Sequence, residues 1–155
     1  MKVSDHVSYR EIIRSSTAQR RGIENAPNQL QLDQIRLLCF CVFEPLRKHF
    51  GVPIFISSCF RSQLLNHAIG GASSSQHMAK RGAAMDLDAD VFGQITNHDI
   101  FYWLLENIEF DQLIWEFGDD KQPAWVHVSF NQGHNRKQVL QAYSDNGRTR
   151  YRSFY

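Results

Sequence analysis

At 155 residues and 18.0 kDa, with 43% hydrophobic content, the chain is sized for one domain, residues 1–155, around one buried core. Its 17 Lys+Arg against 16 Asp+Glu leave a formal charge of +1, which gives no strong electrostatic argument for nucleic acid or an anionic membrane as partner. Met1 to His6 lacks the apolar core of a secretory leader, and no stretch reaches the roughly 18 consecutive apolar residues of a membrane span, so the expectation is a protein that is cytoplasmic as synthesised.

Ser8 to Gly22 predicts a short helix and a loop, with Ser15-Ser16-Thr17-Ala18 supplying capping and turn chemistry. From Pro27, apolar positions Leu30, Ile35, Leu38, Val42, Leu46 and Phe50 keep helical spacing up to Gly51, so a core helix kinked near Pro45 is expected. Cys39 and Cys41 would point to different faces of that helix; with Cys59 the count is odd, and free thiols are predicted. Val52 to Ser57 reads as a strand, and Gln63 to Ile69 as a brief helix closed by Gly70-Gly71, with Arg61 at the turn between them.

The small, polar Ala72-Ser73-Ser74-Ser75-Gln76 loop delivers His77, and the alternation around Ala84-Met85-Asp86-Leu87 predicts a strand carrying Asp86, so that the two would meet at a strand edge. Asn97, with Asp99 two residues on, is a cap for a helix through Ile108. Gln112 to Phe117 and Trp125 to Phe130 are strand-like runs joined by a turn-rich Gly118-Asp119-Asp120-Lys121-Gln122-Pro123 segment, a hairpin that would bring Glu116 near His127. The end of the chain, residues 136–155, reads as a short helix followed by a basic and aromatic tail from Gly147, a docked or frayed terminus rather than a nucleic-acid grip.

Two imidazoles and one carboxylate, His77, Asp86 and His127, are the donor set of a catalytic zinc, which keeps a fourth position open for water; that chemistry points to hydrolysis. Asp88 and Asp90 compete with Asp86, because alternate residues of a strand share a face. His6, His49, His67, His98 and His134 have no comparable neighbours in the sequence and are assigned to the surface.

Ser75-x-His77, Gly82-x-Ala84-x-Asp86 and Trp125-Val126-His127-Val128-Ser129 resemble the zinc D-alanyl-D-alanine carboxypeptidase family, whose fold is shared with hedgehog signalling domains and which includes phage endolysin peptidases. The resemblance continues through Arg14 to Ala18, Glu44 to Arg47, Ser57 to Ser62 and Leu113 to Gly118. It implies an α+β fold with helices against a small antiparallel sheet, one Zn2+, and a monomer that cuts peptide bonds in bacterial peptidoglycan stem peptides, either as a carboxypeptidase or as a lysin released by phage-type lysis. By the same likeness His77, Asp86 and His127 are the metal ligands, Arg61 holds a substrate carboxylate or carbonyl, and Ser75 binds substrate. A guanidinium suits a terminal carboxylate through bidentate pairing.

The chain departs from that pattern in three places. Ala124 stands where many relatives have an acidic base, three residues before the last histidine. The base then has to come from elsewhere: Glu116 is the candidate, with Asp119 or Asp120 as loop alternatives, although Glu116 could equally orient a ligand histidine. Eight residues separate His77 from Asp86 instead of six, which predicts a bulge over Met78 to Arg81, and Cys59-Phe60 replaces the usual glycine and tyrosine before the arginine. The rival reading is a non-catalytic module of the same fold that keeps zinc for structure and binds wall peptides.

Overall fold

The structure is a computed structural model and describes residues 1–155. Six strands form one sheet in the order β1-β2-β4-β3-β5-β6, where β1 is Phe55–Ser58, β2 Ala83–Asp88, β3 Gln112–Glu116, β4 Trp125–Phe130, β5 Gln138–Asp145 and β6 Arg148–Ser153. Six helices accompany it: α1 Tyr9–Ile13, α2 Ser16–Arg21, α3 Gln29–Leu38, α4 Glu44–Phe50, α5 Gln63–Ala68 and α6 Asn97–Asn107. The α+β class is as expected.

Alternation decides which face is covered. Met85, Leu87, Val126, Val128, Leu113 and Trp115 point to one side, where they join Leu38, Val42, Phe43, Leu46, Phe101 and Leu104 in a single apolar core. Asp86, His127, Ile114 and Glu116 alternate with them and rise from the other side. Asp86 and His127 therefore sit on the face of two interior strands, not at the strand edge expected from the sequence, because β1 covers β2 and β3 covers β4.

Two expectations are corrected. The sheet is mixed rather than antiparallel: β4 ends beside the start of β3, and the Asn131–Lys137 link steps across that same end, so β5 leaves it running parallel to β3. The 136–155 segment holds no helix; it is the β5–β6 hairpin, turned by Asn146 and Gly147, both at positive φ (49° and 77°) as the tight turn of a twisted hairpin requires. The irregularity in the long helix is a π turn over Cys39–Phe43, where the Glu44 N–H reaches back to the Cys39 carbonyl. Pro45 has no N–H and its ring would meet a carbonyl one turn back, so the helix widens just before it.

The caps follow their chemistry. Ser8 with Glu11 and Asn28 with Gln31 form reciprocal capping boxes, and Ser15 caps α2. At α6 the cap is Thr96 paired with Asp99, not Asn97. Asn97 lies fully buried instead: its Oδ1 accepts from Ala89 N–H at 2.8 Å and its Nδ2 donates to the Ala124 carbonyl at 3.0 Å, tying the exit of β2 to the β3–β4 loop. All three cysteines are free thiols. No helix is long and apolar enough to cross a membrane.

Candidate metal centre and active site

β2 and β4 pair in a register that sets Asp86 directly opposite His127, and Asp86 Oδ1 lies 2.9 Å from His127 Nδ1. His77 comes from outside the sheet, on the short 3₁₀ turn Gln76–Met78. Two bonds hold that turn against the end of β1: the Arg61 N–H donates to the His77 carbonyl at 2.9 Å, and His77 Nδ1 lies 2.6 Å from the Cys59 carbonyl. Between this turn and β2, Ala79 lies in the left-handed region at φ 53°, and Lys80 and Arg81 are exposed.

A carbonyl only accepts, so His77 Nδ1 carries the proton and Nε2 presents a lone pair. That lone pair faces Asp86 Oδ1 at 3.3 Å. Burial lowers the His77 pKa, against the opposing pull of the Asp86 charge, and so disfavours a second proton that would bridge the two. Burial alone would raise the Asp86 carboxyl, but His77 and His127 hold it well below the ordinary carboxylate range. Two acceptors of one buried pair thus point at each other, an arrangement that a cation satisfies. Zinc bonds of about 2.0–2.1 Å in tetrahedral geometry put donor atoms roughly 3.3 Å apart, and the donor atoms of His77, Asp86 and His127 all lie within 4.8 Å of one another.

Asp88 and Asp90 are outside this group. Both carboxylates turn to Asn97 Nδ2, at 3.1 and 3.3 Å, and Asp88 also accepts the Asp90 N–H. Arg61 is brought in: its guanidinium stands 3.6 Å from Asp86 Oδ2 and is partly open to the cleft. Ser75 caps the 3₁₀ turn, its Oγ accepting the His77 N–H at 3.3 Å, so it shapes the ligand turn directly. Asp119 is committed to its loop, where it accepts from Lys121 and Gln122 N–H. Asp120 is exposed on the same loop.

Glu116 pairs with Trp125, and Ile114 with His127, so Glu116 lies diagonally across from the histidine on the same face. It is buried, and no group of the chain donates to its carboxylate. Burial raises its pKa to about 7, with His127 and Arg61 pulling down and Asp86 pushing up. A carboxyl poised at neutrality beside a candidate cation site can take and return a proton. Ala124, by contrast, serves the loop through its backbone, donating to the Glu116 carbonyl at 2.9 Å.

Sequence reasoning missed Asp111 and Tyr151. Asp111 is buried and accepts from Arg136 Nε and Nη2, each at 2.8 Å, and from Gln76 Nε2 at 2.7 Å, next to His77. Tyr151 stands on the β6 strand, in the segment read as a tail. Its signal was the turn dipeptide Asn146-Gly147 between Asp145 and Arg148, after which Thr149, Tyr151 and Ser153 alternate with arginines.

The family model described as Peptidase M15 matches residues 5–129, a span that contains every one of the candidate ligands together with Arg61, Ser75 and Glu116. No curated protein matches the chain.

Proposed function

The chain belongs to the peptidase M15 family, and on that premise we propose that it is a zinc-dependent peptidase acting on the stem peptides of bacterial peptidoglycan. The observation that carries the reading is the buried lone-pair contact between His77 Nε2 and Asp86 Oδ1, with His127 completing the donor set and Glu116 beside it. Zinc held by these three residues would supply a Lewis acid for the scissile carbonyl and acidify a water molecule. Glu116 accepts that water's proton on its carboxylate and returns it to the leaving amine, a role that matches a pKa raised to about 7. Arg61 binds a carboxylate or carbonyl of the stem peptide through its guanidinium, and Ser75 holds the turn that presents His77.

The test is turnover of defined muropeptides by zinc-loaded protein, read as released D-alanine or as stem fragments, with His77→Ala as the control. Release of the terminal residue identifies a carboxypeptidase, and internal fragments identify an endopeptidase. A second reading has one observation in its favour: Ala124 provides no acid at the place where relatives have one. On that reading the chain is a zinc-holding module that binds wall peptides without cutting them. Peptide binding with no product under any metal condition would establish it.

A further inference from the structure

The β5–β6 hairpin lies beyond the matched residues 5–129, yet it extends the sheet alongside the candidate site. Trp125 pairs with Glu116, Glu116 with Ala142, and Ala142 with Tyr151, so four strands place these side chains in one row on one face. Two aromatic residues therefore bracket the carboxylate. Trp125 is backed by the Phe117 ring at 5.4 Å. Neighbouring strands lie about 4.8 Å apart, and the residue between Glu116 and Tyr151 is an alanine, whose side chain is a single methyl. Ala142 is itself buried.

The Tyr151 phenol lies within electrostatic reach of the candidate site: partial burial and the Glu116 and Asp86 carboxylates raise its pKa, with Arg61 opposing. It stays protonated at neutral pH and is a hydrogen-bond donor, while 55% of the residue remains open to solvent. Its strand is held in place from the other side. Phe154 packs on Phe101 at 4.9 Å and on Trp115 at 5.7 Å, and its N–H donates to the Val139 carbonyl. Arg152 and Arg150 turn to the opposite face, towards Gln141 and Asp145.

We propose that Tyr151 is a substrate-binding residue that forms the wall of the peptide groove facing Trp125 across Glu116, and that its hydroxyl donates to a carbonyl oxygen of the bound peptide. The inference rests on the peptidase reading. It makes the C-terminal hairpin part of the active site and assigns to Tyr151 a contribution to affinity rather than to the chemical step.

The experiment compares wild-type protein with Tyr151→Phe and Ala142→Leu on a synthetic stem pentapeptide ending in D-Ala-D-Ala, under zinc. Losing one neutral hydrogen bond raises KM about fivefold with kcat within about twofold. Ala142→Leu, which pushes the ring aside, raises KM in the same direction. Thermal midpoint and zinc content of Tyr151→Phe stay at wild-type values, which separates a contact from a packing defect. Calorimetric binding of the same peptide reads affinity without turnover and weakens about fivefold in Tyr151→Phe. A KM and binding constant within about twofold of wild type would overturn the proposal, as would a fall in kcat at constant KM. Wild-type protein that neither cuts nor binds the peptide removes the peptidase reading itself, and this inference with it.

Discussion

His77 Nε2 and Asp86 Oδ1 face each other at 3.3 Å with the histidine's one proton committed to the Cys59 carbonyl on the far side of the ring. The contact is repulsive between lone pairs unless a cation or a second proton joins it, and burial disfavours the proton. Zinc binding should therefore stabilise the fold strongly. At a free zinc concentration 100 to 1,000 times the dissociation constant the gain is about 3–4 kcal/mol, or roughly 6–16 °C in Tm for a chain of this size. Asp86→Asn and His77→Ala should each abolish the shift in a thermal melt with zinc against chelator. A wild-type midpoint indifferent to zinc would sink the metal assignment.

Glu116 gives a pH test with two signs. With its pKa raised to about 7, a base at this position makes activity rise with pH through an acid limb at or below that value, since a nearby cation lowers it. Glu116→Gln should remove about 10²–10⁴-fold of kcat. For stability the order reverses. The folded pKa lies above the ordinary 4.5, so the contribution is fully present below 4.5 and is lost as pH rises through about 7. In chelator, Glu116→Gln should be more stable than wild type at pH 8, by no more than about 3 kcal/mol, and the gap should close towards pH 5. Urea melts at the two pH values check this. Retained turnover in Glu116→Gln would reassign Glu116 to orienting His127.

The division between what the sequence disclosed and what it did not follows the range of the interactions. β2 and the β3–β4 hairpin were legible because alternation and turn residues are local signals, and the donor set stood out because two imidazoles and a carboxylate, which share one metal chemistry, stand in recognisable surroundings. Asp86 could be separated from Asp88 only in three dimensions, where Asn97 occupies the second carboxylate. Asp111 and Arg136 are 25 residues apart, and nothing local marks them as a pair. The parallel β3–β5 pairing depends on how a seven-residue link crosses a strand end, which composition does not encode. In Gln138-Val139-Leu140-Gln141-Ala142, residues that also favour helices hid a strand whose stability comes from tertiary pairing.

Gly82 opens the segment that carries Asp86, and its conformation explains why glycine stands there. It has φ +74°, and a Cβ would meet the Phe130 carbonyl oxygen at 2.3 Å, backbone that cannot give way. Gly93 has a similar φ of +71° with nothing within 4 Å of a built Cβ, so it isolates the conformational cost. Gly93→Ala should cost about 1–2 kcal/mol, and Gly82→Ala about 2–4 kcal/mol. The difference is the clash with the end of β4 at the start of the strand that carries Asp86. Equal losses for the two variants in urea unfolding would show that β4 shifts freely to admit the methyl.

Asp111 joins the link between β4 and β5 to the ligand turn. Its Oδ1 accepts Arg136 N–H and Nε, and its Oδ2 accepts Arg136 Nη2 and Gln76 Nε2. Burial works to raise its pKa, but the bonds from Arg136 and Gln76 hold it below the ordinary 3.8. A depressed pKa contributes stability that is present above 3.8 and is lost as pH falls through the lower folded value. Asp111→Asn should thus cost about 2–3 kcal/mol at pH 7, with the gap to wild type narrowing in acid. Because Gln76 precedes His77, the same variant should weaken zinc binding about tenfold by loosening a ligand's support. A chelator competition measures the second effect separately from the first. Weakened stability with unchanged zinc affinity would confine Asp111 to clamping β5 on β3, whereas loss of both ties the crossover loop to the geometry of the metal site.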